Sequence, residues 1–162
     1  MSNTQAQEHA RGNQANSGQQ SRQQRARTFV HEHVREEYDD LRRLLKERVE
    51  EMNAHTGGTP QLVLRGSTVE LGYVKLHLEL DPLPTDPDAF VLTLKVALEK
   101  YGSQLLGTGP TPQKERMVAA VSSDVSRILW MHKVEALTSA HVVEFALDLL
   151  TTYHSRHMPQ TR

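Results

Sequence analysis

The chain contains no cysteine among its 162 residues, and this absence excludes several classes of protein. Without thiols there is no disulfide framework, no cysteine-based zinc finger, no thiol nucleophile and no iron–sulfur site. Aromatic residues make up only 5% of the chain. No apolar run approaches the ~18 residues of a membrane helix. The N-terminus lacks the apolar segment of a signal peptide, so we expect a soluble cytoplasmic protein that does not bind membranes.

The chain also lacks a large excess of positive or negative charge. The 19 Lys and Arg residues nearly balance the 20 Asp and Glu residues, which leaves a formal net charge of −1 at pH 7. A protein so close to neutrality is not a strong polyelectrolyte as a whole. Since little charge repulsion keeps its molecules apart, the composition permits self-association.

Residues 1–27 contain no Leu, Ile, Val or aromatic residue and are rich in Gln, Asn, Ser, Gly and Arg. Such a segment buries too little apolar surface to offset the entropy lost on ordering, so we predict a disordered tail over 1–27. Arg22, Arg25 and Arg27 form a short basic arm at its end. Arms of this kind neutralise phosphates of nucleic acids, although a solubilising linker is the simpler interpretation.

A helical stripe follows the tail. From Thr28 to Gly57, apolar residues recur every three or four positions, which predicts a helix over 28–55. This helix is long for a domain of this size. Its apolar stripe either packs in the core or binds a partner, and both alternatives remain open. The residues proposed to bind a partner are Val34, Tyr38, Leu41, Leu45 and Val49.

Alternating apolar residues between Gln61 and Asp81 predict a small antiparallel meander of two or three strands. The alternation changes phase at Gly72–Val74, which indicates a bulge or a bend between two strands. Asp86 and Pro87 resemble a helix start, which favours a helix over 89–104. Phe90, Leu92 and Leu94 also alternate, so a strand is the alternative there.

Two further helices are predicted in the C-terminal third. One begins at Pro112 and continues through Met117, Val121, Val125 and Ile128; the other begins after Thr138. The last helix has a stripe at Val142, Phe145, Leu149 and Tyr153. The fold class is therefore α+β, with a long N-terminal helix, a small antiparallel meander and about three helices packed on it. We assign 28–158 to one domain and expect 159–162 to fray.

Residues suited to metal or phosphate chemistry are isolated in the sequence. His154 and His157 share a helix face but have no nearby carboxylate, and Asp81, Asp86 and Asp88 lie among prolines in a turn. The segment 107–114 contains glycines and a lysine before a predicted helix, but its two prolines lack N–H groups for a phosphate. We therefore predict no metal site, no cofactor and no catalytic residue.

The sequence is most typical of a non-enzymatic protein that acts by binding. We predict an adaptor or structural subunit that forms a homo-oligomer or binds a protein partner through the helix 28–55. The alternative is a nucleic-acid-binding protein, coat-like as in viruses and phages or RNA-handling, that uses Arg22, Arg25 and Arg27. An enzyme is the third possibility, since a site assembled from distant residues leaves no local motif.

Overall fold

The computed structural model describes residues 3–57, 61–99 and 109–158, with side chains from residue 16 onward. Within these residues, two helices flank seven strands, so the α+β class is confirmed. The elements are α1 (Asn3–His55), β1 (Leu62–Arg65), β2 (Thr68–Leu71), β3 (Val74–Leu83), β4 (Asp86–Leu98), β5 (Gln113–Val121), β6 (Ile128–His132), β7 (Glu135–Leu137) and α2 (Ser139–His157). Neither described helix has a stretch apolar enough to cross a membrane.

The strands form one antiparallel sheet in which the spatial order is the chain order, β1 to β7. Neighbouring strands are joined as a meander, since each strand pairs with the next one along the chain. The phase change at Gly72 is a turn between β2 and β3. Gly72 has φ +61°, a left-handed conformation that glycine adopts without steric cost.

The prediction of two or three strands was wrong because two predicted helices are strands. The segment 89–104 was expected to be helical, but Asp86–Leu98 forms β4. Its alternating residues pair with those of β3, with Leu92 opposite Leu80 and Leu94 opposite Leu78. Asp86 and Pro87 begin a strand after a turn instead of capping a helix. The apolar alternation was therefore the better guide.

The predicted helix after Pro112 consists of β5, a turn and β6. Met117 and Ala119 are buried while Val118 between them is exposed, as a strand requires. The turn is built by Ser122, whose Oγ accepts hydrogen bonds from the backbone N–H groups of Ser126 and Arg127. Ser and Asp side chains of this kind favour turns, so the Ser122–Ser126 cluster was the signal that the helix prediction missed.

The helix α1 is longer than predicted. It extends back to Asn3 through the segment expected to be disordered, and ends at His55, close to the glycine that was predicted to terminate it. The chain has no proline before Pro60, and Ala, Gln and Arg in this segment are good helix formers. Side chains of residues 16–25 are exposed. Local propensity therefore accounts for this part better than packing does. The prediction for 159–162 lies outside the described residues.

Both helices cover the same face of the sheet. Helix α1 contacts β1, β4, β5 and β6, and α2 contacts β2, β3, β4, β6 and β7. The core between the layers joins the α1 stripe to alternate residues of the strands and to α2. Its largest fully buried side chains are Trp130, Leu41, Leu45, Leu76, Leu92, Leu94, Met117 and Leu150. A sheet of this type is stable because the helices remove its apolar face from water.

The helix α2 begins and ends as predicted. Thr138 is its N-cap, and the Thr138 side chain accepts a hydrogen bond from the backbone N–H of His141. Val142, Leu149 and Tyr153 are buried, whereas Phe145 is half-buried. The 3.6-residue periodicity of this segment was thus sufficient to predict both its conformation and its buried side.

A chain of hydrogen bonds joins three elements in the core. Trp130 Nε1 of β6 donates to Ser139 Oγ at 3.0 Å, and Ser139 Oγ donates to Glu37 Oε1 of α1 at 2.5 Å. Trp130 is fully buried and Ser139 is nearly so. A buried indole N–H must find an acceptor, so Ser139 fixes the start of α2 relative to both α1 and the sheet.

We predict that Ser139→Ala lowers the free energy of unfolding by about 1–3 kcal/mol, because it leaves the indole N–H of Trp130 without an acceptor in the core. Urea unfolding followed by tryptophan fluorescence measures this change. Ser155→Ala is the matched control on an exposed site of the same helix and is expected to change stability by less than ~0.5 kcal/mol. Equal effects of the two substitutions would contradict the role given to Ser139.

Candidate interaction surface

The stripe proposed to bind a partner lies inside the chain itself. Val34, Leu41 and Leu45 have no exposed surface, and Val49 is also buried. Tyr38 is half-buried, and its hydroxyl hydrogen-bonds the carbonyl oxygen of Leu78 and the hydroxyl of Ser67. The structure therefore places this stripe in the core, which was the other alternative. A partner surface has to be sought elsewhere on the molecule.

The basic arm lies along α1, and two of its three arginines contact other elements. Arg22 Nη2 donates to the carbonyl oxygen of Ser123 at 2.7 Å, in the turn between β5 and β6. Arg27 Nη2 is 2.5 Å from Asp86 Oδ2 at the start of β4. Arg25 is exposed in a shallow surface groove. Arg22 and Arg27 thus help to position α1 over the ends of the sheet.

The residues considered for metal binding are not brought together. The ring of His157 packs on Tyr153 with centroids 4.4 Å apart, and Asp86 accepts a hydrogen bond from the backbone N–H of Asp88. No group of three or more His, Asp or Glu residues that could hold a metal ion occurs within the described residues. Of the loop 107–114 considered for phosphate, residues 107 and 108 lie outside the described part, and Gln113 and Lys114 belong to β5.

One acid–base pair was missed by the sequence analysis. His132 Nε2 of β6 is 2.9 Å from Glu115 Oε2 of β5, and the His132 ring lies 4.9 Å from the Phe145 ring of α2. The hydrogen bond from His132 lowers the pKa of Glu115, against the opposing effect of burial. The pair is 17 residues apart in sequence and becomes visible only once β5 and β6 are aligned. It ties two strands together beneath α2.

We predict that Glu115→Gln lowers the free energy of unfolding by about 1 kcal/mol near neutral pH. The pKa of Glu115 is lower in the folded state than in the unfolded chain, so the ionised carboxylate stabilises the fold. This stabilisation is fully present above pH 4.5, the ordinary pKa of a glutamate side chain. This contribution is lost as pH falls through the folded pKa. Wild-type and variant stabilities should therefore converge in acid when urea unfolding is measured across the acidic range.

Glu135→Gln is the control for this experiment, because it removes an exposed carboxylate from the same cleft beside His132. We expect it to change the free energy of unfolding by less than ~0.5 kcal/mol. A difference between wild type and Glu115→Gln that stays constant into strong acid would show that the charge of Glu115 is not what stabilises the fold.

An extended accessible surface is the second face of the sheet. We call it the open face: the side of β3 that carries Lys75, His77, Glu79 and Asp81, together with the residues in register with them on the other strands. Both helices contact the opposite side, and no other described element lies over this one. A seven-stranded sheet covered on one side only therefore presents its other side to solvent.

One half of the open face is polar and internally paired. Lys75 Nζ lies 2.8 Å from Glu99 Oε2 and 3.6 Å from Glu70 Oε1. His77 contacts Glu99 at 3.4 Å and Thr68 at 2.9 Å. The hydrogen bond from Lys75 is the main reason that the pKa of Glu99 is lowered. This half of the face behaves as an ordinary solvated sheet surface.

The other half of the open face carries an apolar patch. Val91, Val118, Met131 and Ala136 lie opposite one another in a single row across β4, β5, β6 and β7. Ala120 and Leu129 form the next row and complete the patch. Val118 is 41% exposed and Ala136 is exposed as well, whereas Met131, Ala120 and Leu129 are half-buried and Val91 is buried. At ~4.8 Å between strands, the row is about 14 Å wide.

Charged side chains without ion-pair partners border this patch. Glu79 and Asp81 lie on β3, at one end of the apolar row. Arg116 is the neighbour of Val118 on this face of β5, and Lys114 and Lys95 form the next row beyond Arg116, on β5 and β4. None of the five takes part in an ion pair within the described residues. Lys95 and Lys114 are directly opposite each other, an arrangement of like charges that disfavours pairing unless an anion approaches.

The edges of the sheet offer few backbone groups to an added strand. Both edge strands are short, with four residues in β1 and three in β7. On β1, the amide of Asn53 donates to the carbonyl oxygen of Leu62 at 2.8 Å and accepts from its N–H at 2.9 Å. The Asn53 side chain thus occupies the backbone N–H and C=O of Leu62, at the start of this edge strand.

Comparisons with protein-family models, with curated proteins and with solved structures give no match to this chain.

Proposed function

We propose that this chain is a non-enzymatic interaction protein, an adaptor or structural subunit, that associates through the apolar patch of its open face. The observation that supports this most directly is the row of Val91, Val118, Met131 and Ala136 on an uncovered side of the sheet. On a sheet with one face in water, the water-facing positions ordinarily carry polar residues. An apolar patch rimmed by polar groups on such a face is typical of an interaction site.

The polar rim gives the surface the composition of an interface. Arg116 and Lys114 border the patch on one side and Asp81 on another, while the fully apolar rows lie between them. Interfaces of this type exclude charge from the centre and keep it at the edge. Since the overall net charge is only −1, two copies of the chain do not repel one another strongly. Self-association is therefore the form of binding that we favour.

We predict that the wild-type chain is oligomeric and that Val118→Asp raises its dissociation constant at least ~30-fold, because a carboxylate is desolvated at the centre of the patch. Size-exclusion chromatography with light scattering over a concentration series measures the change. Val63→Asp is the matched control: Val63 is 36% exposed on the same face, but at the far edge strand β1.

Thermal unfolding of both variants establishes that each is folded. Association that responds to Val118→Asp and not to Val63→Asp supports the proposed surface. Wild-type protein that is monomeric at every concentration would contradict self-association. Equal weakening by both substitutions would show that the apolar patch is not the contact.

A nucleic-acid partner is the second proposed function. It is supported by the exposure of Arg22, Arg25 and Arg27 on one helical segment, in which the other residues from 19 to 28 carry no charge. The contacts of Arg22 with Ser123 and of Arg27 with Asp86 compete with such a role. Arg25 is the arginine most available to a phosphate.

We predict for this alternative that replacing all three arginines with glutamine weakens binding to a fluorescein-labelled oligothymidylate. If each contacts one phosphate, the slope of log affinity against log salt should fall by about 2. Fluorescence anisotropy at several salt concentrations measures both effects, and Arg156→Gln on α2 is the control. Absence of binding by the wild type, or an unchanged slope in the triple variant, would eliminate the arm from the mechanism.

A further inference from the structure

The charges around the apolar patch are arranged so that the open face complements itself. Asp81 lies in the same row as Val118 with β4 between them, about 10 Å away across the strands. Arg116 and Lys114 precede Val118 on β5, about 7 and 13 Å away along the strand. Acid and base thus lie at similar distances from Val118, in two directions at right angles.

A single symmetry operation brings these charges together. Two sheets face each other, and a two-fold axis lies between them, parallel to both. The axis passes over Val118 and runs at about 45° to the strands, halfway between the strand direction and the row direction. It exchanges the two directions, so Asp81 of one copy falls between Arg116 and Lys114 of the other. The contact is made twice, as an isologous interface requires. The strands of the two sheets then cross near 90°, one of the two ways in which sheets pack face to face.

The same operation keeps the apolar patch at the centre. Val118 lies on the axis and faces its own copy, and Met131 lies over Ala120 of the other chain. The unpaired charges form the rim around this contact. Within one chain, Asp81 and Arg116 have no ion-pair partner among the described residues, since β4 separates them by two strand spacings. A second copy supplies the opposite charge to each.

We infer that the occupant of the open face is a second copy of this chain, packed with crossed sheets and held in register by Asp81 of each copy against Lys114 and Arg116 of the other. This inference rests on the proposed function and specifies its partner. The charged contacts determine which orientation forms, whereas burial of the apolar patch drives association.

Two complementary variants test the arrangement. Asp81→Arg places a basic side chain opposite Lys114 and Arg116 of the other copy, and the double variant Lys114→Glu with Arg116→Glu places two acidic side chains opposite Asp81. In a homodimer of either variant, like charges face each other at both of the symmetry-related contacts. We therefore expect the dissociation constant of each homodimer to rise at least ~10-fold. Mixed one to one, they restore both contacts and should form a heterodimer with an affinity near that of the wild type. Native mass spectrometry distinguishes the three dimers by mass.

Asp148→Arg on the exposed side of α2 is the matched control and should dimerise as the wild type does. Circular dichroism melting shows whether each variant folds, and recovery in the mixture is in itself a sign of folded chains. Loss in each variant with recovery on mixing supports the inference. A wild-type dimer that tolerates Asp81→Arg, or variants that fail to recover on mixing, would overturn it and leave the proposed function standing. A monomeric wild type would overturn both.

Discussion

The packing of α1 across one face of the sheet is the interaction on which the other features of this molecule depend. A seven-stranded meander has one apolar side that must be removed from water, and the α1 stripe with Val34, Leu41 and Leu45 at its centre does so without leaving these side chains exposed. Helix α2 completes the layer, and Ser139 joins it to Glu37 and Trp130. Because both helices lie on this side, the other side of the sheet has no described element packed over it.

The sequence predicted some elements well because their periodicity was unambiguous. The stripes of α1 and α2 and the alternation in β2 and β3 follow from residue spacing alone. Spacing failed at β4, where Asp86 and Pro87 gave a helix-start pattern that a strand after a turn also satisfies. It failed again at Met117–Val121, because a continuous apolar run fits a helix and a strand equally well. Pairing with the neighbouring strands decides between helix and strand in such cases, and local residue spacing does not show which strands pair.

The candidate surface was harder to predict than the fold, for a related reason. Val118 and Val91 are 27 positions apart, and nothing in the local sequence indicates that they are opposite one another. Their alignment depends on the register of β4 with β5, and a shift of β5 by one residue would turn Val118 to the core. The α1 stripe was easier to see and suggested a partner surface, yet apolar spacing on a helix is the same whether the helix faces a core or a partner.

The pairing of Asn53 with Leu62 has a consequence for the size of any assembly. Strands that add to one another at sheet edges leave a new edge after each addition, so growth continues into fibrils. A side-chain amide that pairs with Leu62 at the start of β1, together with a β7 of three residues, shortens the edges available to that route. When two molecules associate through the same face by two-fold symmetry, the contact buries that face on both molecules at once. If two chains associate through the proposed two-fold contact, the product is a closed particle of fixed stoichiometry and not an open polymer.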